Sequence, residues 1–187
     1  LAMPDNAEEG ILKGLYKLKA GFKSNLKVQL IGSGAMLPQA VLAAELLSEL
    51  DISADIWSAT SFGLLRRDIN DVERHNRLHP EDLRTTYVAD CLKDAAGPVI
   101  AATDYLKSHA DTIRCAIKQP YFVLGTDGFG RSDTRAALRD FFEVDAKSIA
   151  DTALQALYLQ GEYDFDKWQQ ARKKWGVKTD GANPITR

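Results

Sequence analysis

Four short apolar stretches alternate with segments long enough for helices, and this alternation constrains the fold more than any other feature of the chain. The stretches are residues 27–31 (KVQLI), 52–58 (ISADIWS), 99–102 (VIAA) and 121–125 (YFVLG). Near-continuous apolar strands spaced by helices of ten or more residues predict a mainly parallel sheet covered on both faces. A fifth stretch, residues 15–19 (LYKLK), alternates apolar and polar side chains and reads as a half-exposed strand. Helices are expected over residues 4–13, closed by Gly14, and over 37–50, with Pro38 in the first turn. Leu42, Leu46 and Leu50, with Ala43 and Leu47, give the second of these a broad apolar face. Further helices are expected after Thr60 or Ser61 up to Pro80, over 87–95, and after a Thr103-Asp104 cap with Leu106, Ala110, Ile113 and Ile117 on one stripe. The last three are expected over 134–142 with Ser132 or Asp133 as cap, over 146–160 ending at Gly161, and after an Asp166 cap up to Gly176.

The chain has 187 residues, 45% hydrophobic and 27% charged, with a net charge of −2. That is an ordinary globular balance. No apolar run is long enough to span a bilayer, and basic residues are interleaved with acids, so neither a membrane nor a nucleic acid is expected as a partner. Cys91 and Cys115 make neither a disulfide framework nor a zinc site; both are read as small core residues in a reducing compartment. The chain opens Leu1-Ala2-Met3 and not with an initiator Met, which reads either as residues left by a vector or as a fragment of a longer polypeptide; no signal peptide is recognised, and a cytoplasmic location is expected. Its organisation is expected as an arm over residues 1–26, an α/β domain over 27–160, and a helix and tail over 161–187.

Gly32-Ser33-Gly34 lies where dinucleotide-binding folds place a glycine-rich turn, but position 37 is Leu and the second strand ends without the acid that would hold a ribose. A plain tight βα turn is the better reading. His75 and His79 have metal-ligand spacing, yet Asn76 breaks the catalytic pattern and Pro80 biases His79 away from helix, which favours a surface or hinge role. Residues 66–84 carry Arg66, Arg67, Arg74, Arg77 and Arg84 against five acids, and read equally as a solvated face or an interface. The stretch 126–135 (TDGFGRSDTR) is the most specialised. Two glycines flank Phe129 and imply a sharp turn that presents the ring, while Asp127, Arg131, Asp133 and Arg135 are expected to pair among themselves. It reads first as a structural loop holding a helix start and second as a functional loop at a strand's C-terminal edge. No Ser-His-Asp set and no phosphate-binding P-loop can be assembled.

Several strings, in order, resemble one family: MP-x-x-AEEGI-x-KG-x-Y-x-L from Met3, VQL-x-GSG from Val28, TSF from Thr60, Arg67-Asp68, ER-x-N-x-LHP from Glu73, TDY from Thr103 and LGTDGFGRSDTR from Leu124. The family is the homodimeric, thiamine-diphosphate-dependent decarboxylating component of the bacterial pyruvate dehydrogenase complex. The resemblance covers essentially the whole chain, and a looser strand–GFG-x-S–helix pattern is shared with transketolases. It implies a C-terminal domain of α/β class: three layers around a five-stranded, mostly parallel sheet with one antiparallel edge strand, assigned to residues 15–19. It also implies that the diphosphate, its Mg²⁺ and the pyrimidine ring are held by two preceding domains. Their Gly-Asp-Gly signature with a downstream Asn is missing here, since Thr126-Asp127-Gly128 and Thr179-Asp180-Gly181 both lack the first glycine. No catalytic, cofactor-binding or metal residue therefore transfers to this chain.

The implied role is support. The partners would be the preceding domains, a second subunit of a homodimer and the dihydrolipoyl acetyltransferase. The candidate interface and loop residues are Arg66, Arg67, Arg74, Arg77, His79, Asp127, Phe129, Arg131, Ser132 and Arg135. The alternatives are a free-standing module that holds a small anion at the Gly32–Gly34 turn or the Asp127–Arg135 loop, and the same domain of a transketolase. Gly63-Leu64 and the turn over residues 19–27 depart from the family's pattern.

Overall fold

The computed structural model describes residues 3–186. Five strands, β1 (Leu15–Lys19), β2 (Leu26–Ser33), β3 (Ile52–Ala59), β4 (Val99–Ala102) and β5 (Tyr121–Leu124), form one sheet in the order β1-β3-β2-β4-β5. β1 pairs antiparallel with β3, Leu15 opposite Ala59, and every other pairing is parallel. The expected edge strand and its direction are thus observed. β4 is buried along its whole length and β2 and β3 almost throughout, as strands with helices on both sides must be. β1 instead is buried at Leu15, half-buried at Tyr16 and Leu18 and exposed at Lys17 and Lys19, whose charges discourage pairing with another chain.

Among the described residues eight α-helices complete the layers: α1 (Glu8–Lys13), α2 (Leu37–Ser48), α3 (Phe62–Leu78), α4 (Tyr87–Leu92), α5 (Lys107–Asp111), α6 (Arg135–Phe141), α7 (Ala146–Leu159) and α8 (Phe165–Trp175). On one face α2, α7 and α8 bury Ala40, Leu47, Ile149, Leu154 and Trp168 against Val28, Leu30 and Ile100. On the other, α3 and α4 bury Phe62, Leu65, Ile69, Val88 and Leu92 against Ile31, Trp57 and Ala101. Gln29 is the largest of the buried polar side chains of the sheet, beside Ser33, Ser53 and Ser58, and both ends of its amide are engaged: Trp57 Nε1 donates to its Oε1 at 2.8 Å and its Nε2 donates to the Ala96 carbonyl at 3.0 Å.

Several sequence expectations change in detail. β2 continues through Gly32 and Ser33, which pair with Ser58 and Ala59 of β3, so Gly32 is strand end and the turn begins at Gly34. A short 3₁₀ turn, Gly34–Met36, then enters α2. The inward seam of α2 is Ala40, Ala43 and Leu47, while Leu42 is 46% exposed. The small residues win that face because α7 packs directly on α2 with Ala150 and Ala153 in the same cluster. α1 is one short piece beginning at Glu8, and α4 stops at Leu92. Ser61 caps α3 as one of the two expected choices, but α6 is capped by Thr134 and α8 by Asp164 rather than by Ser132, Asp133 or Asp166. Neither Thr103 nor Asp104 caps α5, which is a single turn and a half, and Leu106 points outward. Cys115 is exposed, not core; its sulfur accepts from Arg66 Nη1 at 3.2 Å.

Candidate functional site

β2 is flanked by β3 on one side and β4 on the other, so the chain leaves β2 in one direction and later returns in the other. Open α/β sheets carry their crevice where the winding reverses, beyond the carboxyl ends of the strands. Here that point lies between Ser33 and Thr103. Ser33 Oγ and Thr103 Oγ1 are 3.1 Å apart and buried, and Tyr105 N–H donates to Thr103 Oγ1 at 3.2 Å. The turn after β4 is laced to the one after β5. Thr126 Oγ1 donates to the Asp104 carbonyl at 2.9 Å, and Thr126 N–H donates to the Tyr105 carbonyl at 2.9 Å.

Asp127 completes the lacing. Its Oδ1 accepts from Lys107 N–H at 3.0 Å, the first residue of α5. A helix whose own N-cap is Leu106 thus borrows a carboxylate from a loop twenty residues on. Gly128 follows with φ +113°, and a Cβ there would lie 2.6 Å from the Pro184 carbonyl of the C-terminal tail, so the position requires glycine. Phe129 then stands 78% exposed, the presented ring expected from the flanking glycines. Gly130 is in open space. The expected pairing among Asp127, Arg131, Asp133 and Arg135 does not form. Asp127 is held by Lys107 N–H, Asp133 accepts from Thr134 N–H, and the Arg131 guanidinium lies 4.3 Å from the Phe141 ring centre.

Behind this loop a crevice of about 370 Å³ opens between the Gly34–Met36 turn and α6. Met36, Leu138, Phe142 and Val144 make its apolar floor, and Asp104, Arg131, Arg135 and Arg139 its polar rim. Arg139 Nη2 donates to the Ala35 carbonyl at 3.2 Å, while its buried Nε has no partner. Among the described residues, none of these three arginines lies within ion-pair distance of a carboxylate. Sequence reasoning named Arg131 and Arg135 but missed Arg139 and Asp104. The signal was present as arginine at 131, 135 and 139, a spacing of four that places the last two on one helix face.

A second, larger cavity of about 480 Å³ lies between α6, α7, α8 and the tail, and most of its charges are paired, Glu143 excepted. Asp140 accepts from Lys147 at 2.6 Å and Lys178 at 2.5 Å, and these two ammonium groups hold its pKa below the usual carboxylate range. Burial pushes the Asp151 carboxyl up, despite its bond from Trp168 Nε1 at 2.6 Å and the ion pair with Arg172 at 3.1 Å.

The charged corner predicted over residues 66–84 lies elsewhere, along α3 and the loop after it. Arg67, Arg74, Arg77 and His79 are exposed. Arg66 instead clamps α3 to the segment after α5, donating to the Thr112 carbonyl at 3.4 Å. His75 and His79 stack with ring centres 4.8 Å apart, and His75 Nε2 contacts the Asp82 carboxylate at 3.0 Å, so they fasten the helix end to the loop. Among the described residues no three His, Cys, Asp or Glu side chains converge as metal ligands, and no helix is long and apolar enough to cross a membrane.

Comparison with known proteins agrees with this architecture. The family described as the transketolase-like TK C-terminal domain matches residues 14–145. A pyruvate dehydrogenase E1 component of Pseudomonas aeruginosa is 47% identical over 188 residues, covering 98% of this chain and 21% of that protein. The corresponding Escherichia coli protein is 46% identical over 186 residues with the same coverage. The chain therefore spans about a fifth of the length of these relatives. Among solved structures, a Pichia stipitis transketolase variant superimposes with a TM-score of 0.58 at 17% identity, covering 87% of this chain and 21% of that one. That likeness extends to the fold.

Proposed function

Since the chain belongs to the transketolase-like C-terminal domain family, we propose that it is the C-terminal domain of a pyruvate dehydrogenase E1 component. The observation that carries this reading is near-half identity along 98% of the chain to proteins of that name, of which it spans only a fifth. In this reading the longer polypeptide decarboxylates pyruvate on thiamine diphosphate with Mg²⁺ in the cytoplasm and passes the acetyl unit to lipoyl groups of an acetyltransferase. The donor set of this chain does not fit the cofactor: no Gly-Asp-Gly with a downstream Asn occurs, and no step is assigned here to its residues. The chemistry belongs to the cofactor and to domains that orient it.

What this chain supplies is a rigid support. The exposed arginine corner at Arg67, Arg74, Arg77 and His79, and the Phe129 tip, are the surfaces proposed to meet the preceding domains or the second subunit of a homodimer, because exposed arginines and aromatics are typical anchors of interfaces. Arg66 and Ser132 flank those surfaces, the first as a clamp within the domain. The test is a calorimetric titration of the 187-residue chain with thiamine diphosphate and Mg²⁺. No saturable heat is expected; tight Mg²⁺-dependent binding would overturn the support role.

A further inference from the structure

We propose that the crevice between the Gly34–Met36 turn and α6 is a binding site for a small phosphate-bearing metabolite with a compact apolar body, an effector site separate from any decarboxylation chemistry. Three guanidinium groups, from Arg131, Arg135 and Arg139, border one concavity, and among the described residues none is neutralised by a carboxylate. The contrast with the neighbouring cavity is instructive. There Asp140 and Asp151 are each matched by a basic group at 3.1 Å or closer. The same small domain thus pairs most of the charges lining one cavity, Glu143 excepted, and leaves the arginines of the other without a carboxylate. Unpaired like charges lining a concave, partly apolar wall concentrate field and attract an anion.

The carboxylates near the rim do not change this. Neither Asp127 nor Asp133 is among the residues lining the crevice, and Asp104 is the one acid that shares its wall with the three cations. A net positive site is the result. Guanidinium forks match phosphate oxygens two at a time, and three of them suit a dianion better than a single carboxylate. Two of the three are also held in place before any ligand arrives: Arg131 by stacking on Phe141, Arg139 by its bond to the Ala35 carbonyl. The partnerless, buried Nε of Arg139 is a donor still waiting for an acceptor. Below the rim, Met36 and Leu138 offer an apolar floor, and a volume of about 370 Å³ admits a body the size of a benzene ring with its phosphate. The crevice also sits where the sheet's winding reverses, the general place for ligands in such sheets. Phe129 is not part of its lining, so the loop can make an interdomain contact with its tip and hold a ligand with its base.

The experiment titrates the chain with phenyl phosphate, benzoate and phenol at about 0.15 M salt, followed by calorimetry and by amide shifts. Phenyl phosphate is expected to bind saturably, with shifts confined to residues 34–36, 104 and 126–144, and to bind tighter than benzoate, while phenol does not bind. Arg131→Gln with Arg135→Gln weakens it by about tenfold or more, the loss expected for charge-assisted bonds. Arg74→Gln with Arg77→Gln on α3 changes it less than about twofold. Both pairs are exposed, and an unchanged near-ultraviolet spectrum verifies folding; the single variant Arg135→Gln gives the same direction with a smaller loss. No saturable binding, or equal losses in both double variants, overturns the proposal. So does binding to this chain that vanishes in a longer polypeptide carrying the preceding domains, because the crevice is then filled by a segment of the same protein.

Discussion

Two strand-to-helix turns sit side by side at the carboxyl edge of the sheet and are built on opposite principles. The turn from β2 into α2 is short and tightly packed: Gly32 and Ser33 at its start and Met36 at its end are buried, while Gly34 and Ala35 face outward. A Cβ on Gly32 would lie 2.6 Å from Leu37 Cα and 2.9 Å from its nitrogen. Ser33 is tied to Thr103 across the strand ends. The turn from β5 into α6 runs for ten residues, and only its first few are committed to the domain: Thr126 and Asp127 by hydrogen bonds, Gly128 by the tail. From Phe129 to Thr134 every residue is exposed. The first turn shows what close packing alone asks of a sequence. The second carries an aromatic, Phe129, and an arginine, Arg131, with Arg135 opening the helix that follows; packing does not ask for these, and such residues are the ones a domain spends on something outside itself.

That contrast predicts a graded series. The largest effect belongs to Gly32→Ala, which must push the α2 turn away from β2; a loss of about 2–4 kcal/mol is expected by urea unfolding. Thr103→Val comes next at about 1–3 kcal/mol, because it strands the buried Ser33 hydroxyl and removes the acceptor of the half-buried Tyr105 N–H. Asp127→Ala removes the borrowed cap of α5 and should cost about 1 kcal/mol. If it costs nothing, the long turn is even less tied to the domain than described. Phe129→Ala should change the chain's stability by less than about 0.5 kcal/mol while weakening association of the longer protein, read by sedimentation. A stability loss as large as that of Gly32→Ala would erase the distinction between the turns.

The smallest effect is a pH dependence at the far side of α6. The Asp140 pKa is depressed by Lys147 and Lys178, so its contribution is present above the unfolded value near 3.9 and is lost as pH falls through the still lower folded value. Asp140→Asn should lower neutral-pH stability by a few tenths to about 1 kcal/mol and flatten the stability curve below about pH 4.

How much of this was legible depended on where each residue's partner lies. β1 and β4 were read to the residue, because an alternating pattern and a short apolar run between breakers are local signals. The edge position of β1 came through the family resemblance. The face of α2 was misread because two apolar stripes overlap on it, and the choice between Leu42 and Ala40 is made by α7, more than a hundred residues later. The cap of α5 was misread for a similar reason, its carboxylate coming from Asp127 and not from the residues before the helix. Phe129 was legible as a presented ring because its flanking glycines are adjacent to it. The crevice was only half legible: the spacing of Arg131, Arg135 and Arg139 was in view, but Asp104 and the Ala35 carbonyl that complete its rim come from other turns.

The central claim, that this chain is the supporting C-terminal domain of a pyruvate dehydrogenase E1 component, is tested most directly by a graft. The last fifth of the Pseudomonas aeruginosa relative, 47% identical to this chain, is replaced by these 187 residues. The chimera's mass in solution and its thiamine-diphosphate-dependent decarboxylation of pyruvate are then measured beside the truncated and intact proteins. The account predicts that the chimera regains the mass of the intact protein and a substantial part of its activity, while the truncated protein has neither. A chimera that is soluble and folded yet remains at the mass and inactivity of the truncated protein would contradict it.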